Sequence, residues 1–171
     1  KGEVERSFNP DKAADAIINS MSIVATPDEK LWVYQDGYYK DDGKNTIDRI
    51  LDRVAGKLYT INTSKETQKK IFLRSIEDYT VFDQNPYLLC VKNGTIDLLT
   101  GNVLDHSPEY YLTSCCPVTY DPDAKPEEFL KFLQGACAND DDRLTLIDWM
   151  VACAVLAEFE YILFLTGHGS N

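Results

Sequence analysis

The hydrophobic period changes twice along the 171 residues, and this constrains the fold more than any other feature. Up to Tyr79, apolar residues recur mainly at helical spacing, interrupted once by an aromatic-rich stretch. From Tyr87 to Tyr120 they sit in short extended runs cut by glycine and proline, and after Pro126 helical spacing returns. The pattern implies an α+β fold in three parts. Residues 1–85 form a helical part with a β-hairpin, 86–125 a small β-rich region, and 126–171 two helices and a closing strand.

Local signals give the expected elements. Asn9-Pro10-Asp11 opens a helix, with Ala13, Ala16, Ile17, Ile18, Met21 and Val24 recurring along it before Thr26-Pro27-Asp28. Leu31–Tyr34 and Gly37–Lys40 flank Gln35-Asp36, and Asp36-Gly37 is a tight-turn signal for a hairpin. Thr46 caps a helix through Leu58 with Ile47, Ile50, Leu51, Val54 and Leu58 on one face. Thr63 or Ser64 begins another through about Tyr79, with Glu66 closing a capping box. A winged-helix arrangement of these helices and the hairpin is one option. Strands follow at Tyr87–Val91, Ile96–Leu98 and Val103–Leu104, then helices from Pro126 and from Asn139.

Charge and cysteines narrow the setting. The net charge is −11, and from Asp105 onward 12 acidic residues face 3 basic ones, so the acidity sits in the second half. A generic basic nucleic-acid surface is excluded, and any nucleic-acid contact is expected in the first half. The five cysteines have no CxxC spacing, which predicts reduced thiols and a cytoplasmic setting. No apolar stretch approaches the roughly 20 residues that span a bilayer, and residues 1–10 lack a signal-peptide core.

The last stretch carries a partial motif. Ile162–Leu165 is fully apolar, which suits a strand buried on both faces, and it runs into Gly167-His168-Gly169-Ser170-Asn171. Gly167 can be the first glycine of G-x-x-x-x-G-K-[ST], with backbone N–H groups cradling phosphate. The second glycine, the lysine and the Ser/Thr fall beyond Asn171. A glycine-rich flexible tail is the alternative.

Several blocks together carry a resemblance. Asn93-Gly94-Thr95-Ile96-Asp97-Leu98-Leu99-Thr100-Gly101 resembles the NG-x-[IL]-D-L-x-TG block of phage and plasmid primase-helicases. His106–Thr113 resembles the HSP-x-x-Y-x-T block that follows it there, and Tyr120–Ala124 a YDP-x-A block. Gly167, Gly169 and Asn171 fall where that family's G-x-G-x-N-G-K-[ST] loop lies. The resemblance, shared with poxvirus-like relatives, covers most of the chain, most closely from Tyr87 onward. It implies the segment preceding, and just entering, a superfamily 3 helicase ATPase domain. The parent would unwind DNA with ATP and Mg²⁺, assemble as a ring of six subunits, and often carry a primase domain. Residues 167–171 would be the cofactor-binding part. The chain as given would not hydrolyse ATP, and no catalytic residue is assigned. The alternatives are a non-enzymatic DNA-binding or oligomerisation module, and an acid-rich hydrolase.

Within the first half, Lys65, Lys69, Lys70 and Arg74 form a loosely continuous basic stripe at helical spacing, the candidate DNA contact. Arg49, Arg53 and Lys57 make a second stripe. Trp32, Tyr34, Tyr38 and Tyr39 could stack on single-stranded bases. The competing reading makes the stripes solvated faces paired with Asp48, Asp52 and Glu66, and the aromatics core. Asp140-Asp141-Asp142 suits a helix N-terminus better than a metal site, because consecutive residues point apart. Cys90, His106, Cys115 and Cys116 lack zinc-site spacing, so no metal ligand is assigned.

Overall fold

The computed structural model describes residues 7–137, 139–154 and 162–166. It is an α+β fold with two separate three-stranded antiparallel sheets. Helix α1 (Pro10–Ser20) starts as the sequence predicts: the Asn9 side chain accepts from the Asp11 and Lys12 N–H groups, and Pro10 sits where no N–H is needed. Strands β1 (Ile23–Thr26), β2 (Lys30–Gln35) and β3 (Tyr38–Lys40) follow, with β2 in the centre. The β2–β3 turn places both Asp36 (φ 55°) and Gly37 (φ 93°) in the left-handed region, which matches the right-handed twist of a two-residue hairpin.

Helices α2 (Gly43–Ala55) and α3 (Ile61–Ser75) pack with α1 on this sheet. Their shared core is Ala14 and Ile17 from α1, Ala25 and Leu31 from the sheet, Ile47 and Leu51 from α2, and Ile71 from α3. The hairpin considered as a wing is integral to this sheet and precedes α2 and α3 in the chain. The second sheet holds β4 (Leu88–Val91), β5 (Gly94–Asp97) and β6 (Val103–Leu104), close to the strands expected from the turn signals. Helices α4 (Glu127–Ala136) and α5 (Asp140–Ala154) come last, and the Asn139 side chain accepts from the Asp142 N–H as a cap.

The two sheets are joined by backbone and ring contacts. The Tyr39 N–H donates to the Leu112 carbonyl at 2.7 Å, and the Tyr39 ring stacks on Tyr111 with centroids 5.6 Å apart. The Cys90 thiol reaches the Gly37 carbonyl at 3.6 Å. The Asp83 carboxylate takes the Thr113 N–H at 3.0 Å and also its hydroxyl.

Several boundaries differ from the sequence expectation. Helix α1 stops at Ser20, and Val24 belongs to β1 paired with Trp32. Ile23, Val24 and Thr26 are β-branched and fit a pleated, half-buried surface better than a helix. Helix α3 is capped one turn early, by a reciprocal Thr60–Thr63 box. It ends at Ser75 rather than Tyr79, because Ile76 bridges to Ala25 and the Glu77 N–H bonds the Ala25 carbonyl at 2.8 Å. Thr46 lies buried inside α2 rather than capping it, and Val54 is 79% exposed, pointing off the expected apolar face.

The closing strand is also corrected. Residues 162–166 carry no strand pairing, and Ile162, Phe164 and Leu165 are 78%, 80% and 76% exposed. An apolar run becomes a doubly buried strand only when neighbours cover both its faces, and among the described residues none does. Gly167, His168, Gly169, Ser170 and Asn171 lie outside the described residues.

Candidate nucleic-acid interface

All four residues of the candidate stripe lie on α3, yet the fold divides them into two pairs. Lys70 and Arg74 face α1. The Lys70 ammonium meets the Asp11 carboxylate at 2.7 Å, and the Arg74 guanidinium holds Asp11 at 2.8 Å and Asp15 at 2.9 Å. Arg74 also donates to the Asp11 carbonyl at 3.3 Å. These ion pairs join α3 to α1.

The Asp11 carboxyl is held below its ordinary value of 3.8, chiefly by the Lys70 hydrogen bond, with Arg74 assisting. A depressed carboxyl contributes stability above its unfolded pKa and loses it as the pH falls through the folded pKa. The clamp therefore weakens below pH 3.8. In thermal melts taken at successive pH values, Asp11→Asn should flatten part of this acid-side decline and leave the neutral-to-alkaline limb parallel to wild type.

Lys65 and Lys69 have a different setting. With Lys44 they rim a groove of about 320 Å³ whose floor includes Leu31, Phe72 and Leu73. Among the described residues none of these three lysines makes an ion pair. Glu29 at the rim is the carboxylate of this groove. Lys44 precedes Thr46, the cap expected from sequence, and joins the stripe only through packing. Gln68 makes that join, donating to the Lys44 carbonyl at 3.3 Å and to Asp48 at 2.8 Å. Ser64 also donates to Asp48, so this carboxylate serves the α2–α3 contact and does not pair with the basic stripes. Arg49 pairs with Asp42 at 2.9 Å.

Of the four aromatics Tyr39 is buried, while Trp32, Tyr34 and Tyr38 are half-buried. Trp32 packs on Phe82 with centroids 5.1 Å apart and donates to Thr26 Oγ1 at 3.1 Å. Tyr39 is buried, meets Tyr34 edge-on and stacks on Tyr111, and burial pushes its hydroxyl up to about 12. Tyr38 lies under the Lys40 ammonium, 4.9 Å from its ring centre. The core reading holds for Tyr39, whereas Tyr38 lines an open cavity beside Lys40.

Asp140, Asp141 and Asp142 occupy the first turn of α5, where the helix dipole favours them. The Asp121 carboxylate accepts the Asp123 N–H at 2.9 Å in a local turn. Cys90 Sγ and His106 Nδ1 are 3.9 Å apart, and no group of three metal-ligating side chains occurs among the described residues.

No curated protein matches the chain. A family model described as "D5 N terminal like" matches residues 16–137, from α1 through both sheets to the end of α4. The match takes in the NG-x-[IL]-D-L-x-TG, HSP-x-x-Y-x-T and YDP-x-A blocks and covers most of the chain. The protein therefore belongs to the D5 N-terminal-like family, whose domain is found at the N-terminus of phage and plasmid primase-helicases.

Proposed function

We propose that this chain is the accessory region leading into the ATPase core of a DNA-replication primase-helicase. The family match across residues 16–137 carries the reading. The glycine pattern at Gly167, Gly169 and Asn171 supports it, since it stands where a phosphate loop would begin. In the parent, the backbone of residues 167–171 would help wrap the phosphates of ATP, with Mg²⁺ held by groups beyond them.

Any contact with DNA falls to Lys65 and Lys69, joined by Lys44, because Lys70 and Arg74 are engaged with α1. Binding of a fluorescent single-stranded oligonucleotide at low salt should weaken several-fold in Lys65→Ala/Lys69→Ala. The slope of log affinity against log salt should become shallower by about 1 per phosphate contact removed. An affinity that depends on Arg74 but not on the groove lysines would contradict the assignment.

A second reading, assembly with further copies, is favoured by α4. Phe129, Leu130 and Phe132 are all exposed on it beside the acidic first turn of Glu127 and Glu128. Sedimentation velocity on wild type and Phe132→Glu tests this, with a concentration-dependent oligomer expected for wild type and lost in the variant.

A further inference from the structure

Cys90, His106 and Cys115 meet where the two sheets join, and the proposed role uses none of them. Val91 and Cys116 are partners in an isolated parallel bridge, and the Cys116 N–H donates to the Cys90 carbonyl at 2.8 Å. One step back along that register, Cys90 stands opposite Cys115. Neighbouring strands run about 4.8 Å apart, inside the roughly 4.4–6.8 Å between Cα atoms that a disulfide spans. Cys115 is half-buried and lines an open cavity of about 490 Å³ together with Asp36, Lys40, Lys92 and His106. Cys90 is buried, and its Sγ lies 3.9 Å from His106 Nδ1.

We propose that Cys115 and Cys90 are a two-cysteine modification site that is oxidised by a small peroxide and closes into a disulfide. The cavity admits the oxidant to Cys115. The Cys115 thiolate attacks one oxygen of hydrogen peroxide, the O–O bond breaks, and the other oxygen leaves as hydroxide that takes a proton to become water. Cys115 is then a sulfenic acid. Cys90 Sγ attacks the Cys115 sulfur, the S–OH bond breaks, and the hydroxyl leaves with the Cys90 proton as a second water. In sum, two thiols lose two electrons and two protons, and one peroxide becomes two waters.

The order of the two steps follows from burial. Burial, with the Cys115 thiol beside it, pushes the Cys90 thiol up to about 12, so Cys90 stays protonated until it resolves the oxidised partner. His106 Nδ1 borders the reacting sulfur, 3.9 Å from Cys90 Sγ. The bond would staple β4 to the segment that carries Leu112, whose carbonyl receives the Tyr39 N–H from the first sheet.

The test uses the 171-residue chain freed of reductant. It is treated with a slight excess of hydrogen peroxide, remaining thiols are alkylated under denaturing conditions, and peptides are mapped by mass. The expected product is a Cys90–Cys115 linked peptide lighter by two hydrogens, with the thermal midpoint raised by about 5 °C. Cys116→Ser should keep the link and the shift. Cys115→Ser, a change at the half-exposed partner that leaves the buried Cys90 in place, should lose both and return Cys90 as a free thiol. Recovery of Cys115 as sulfinic or sulfonic acid beside an unlinked Cys90 would overturn the proposal, as would a link from Cys115 to Cys116 or to Cys153 of another copy.

Discussion

Ile71→Ala should cost about 3 kcal/mol of stability and lower the thermal midpoint by roughly 10 °C, the largest single-residue effect expected on this fold. Ile71 is fully buried, and it is the contribution of α3 to a core shared by α1, α2 and the first sheet. Truncation removes the transfer energy of the deleted methyl and methylene groups. It also leaves a cavity whose walls belong to four different elements, so collapse around it is limited. The informative control is Val54→Ala. The sequence places Val54 on the same apolar face as Ile47 and Leu51, but it is 79% exposed, so its loss should stay within about 0.5 kcal/mol. Chemical denaturation of the two variants separates them. Similar losses would mean that α2 is rotated from the orientation described.

Gly37→Ala should be nearly as damaging, for a different reason. Gly37 has φ 93°, where an L side chain is strained, and a Cβ there would sit 2.3 Å from His106 Nδ1. Strain alone is worth about 1 kcal/mol, and displacing the His106 ring should bring the total to about 2–3 kcal/mol. Gly56→Ala supplies the comparison, since Gly56 has φ 52° but nothing within 4 Å of the added carbon. The difference between the two variants isolates the clash. A displaced His106 would also open the sheet junction, so native-state alkylation of Cys90 should be faster in Gly37→Ala than in wild type. An unchanged alkylation rate together with a cost no larger than that of Gly56→Ala would show that His106 does not depend on this contact.

Signals confined to neighbouring residues were legible. Asn9-Pro10 opens α1, Asp36-Gly37 turns the hairpin, Asn93-Gly94 and Thr100-Gly101 separate the strands of the second sheet, and Asn139 caps α5. Each acts through a preferred φ or through a hydrogen bond to an N–H two or three residues away, so the chain states it locally. Where packing competes with local preference, the expectation moved. Val24 carries a helical period but pairs with Trp32, and Thr63 and Glu66 spell a capping box but Thr60 begins the helix. The candidate site divides along the same line. Lys65, Lys69, Lys70 and Arg74 can be placed on one helix from spacing, but no spacing reveals that Asp11, some sixty residues away, occupies two of them.

By itself, the sequence determined the α+β class, the order of helices α1 to α5, the absence of any long apolar span and the family blocks, because each depends on residues close together in the chain. Only the tertiary structure decided that Asp11 pairs with Lys70 and Arg74, that Lys44 joins Lys65 and Lys69, that Tyr39 is buried, and that Cys90 faces Cys115. Those outcomes depend on helices and strands from distant parts of the chain meeting at one place, and the free energy of those meetings lies in burial and ion pairing that no local pattern encodes.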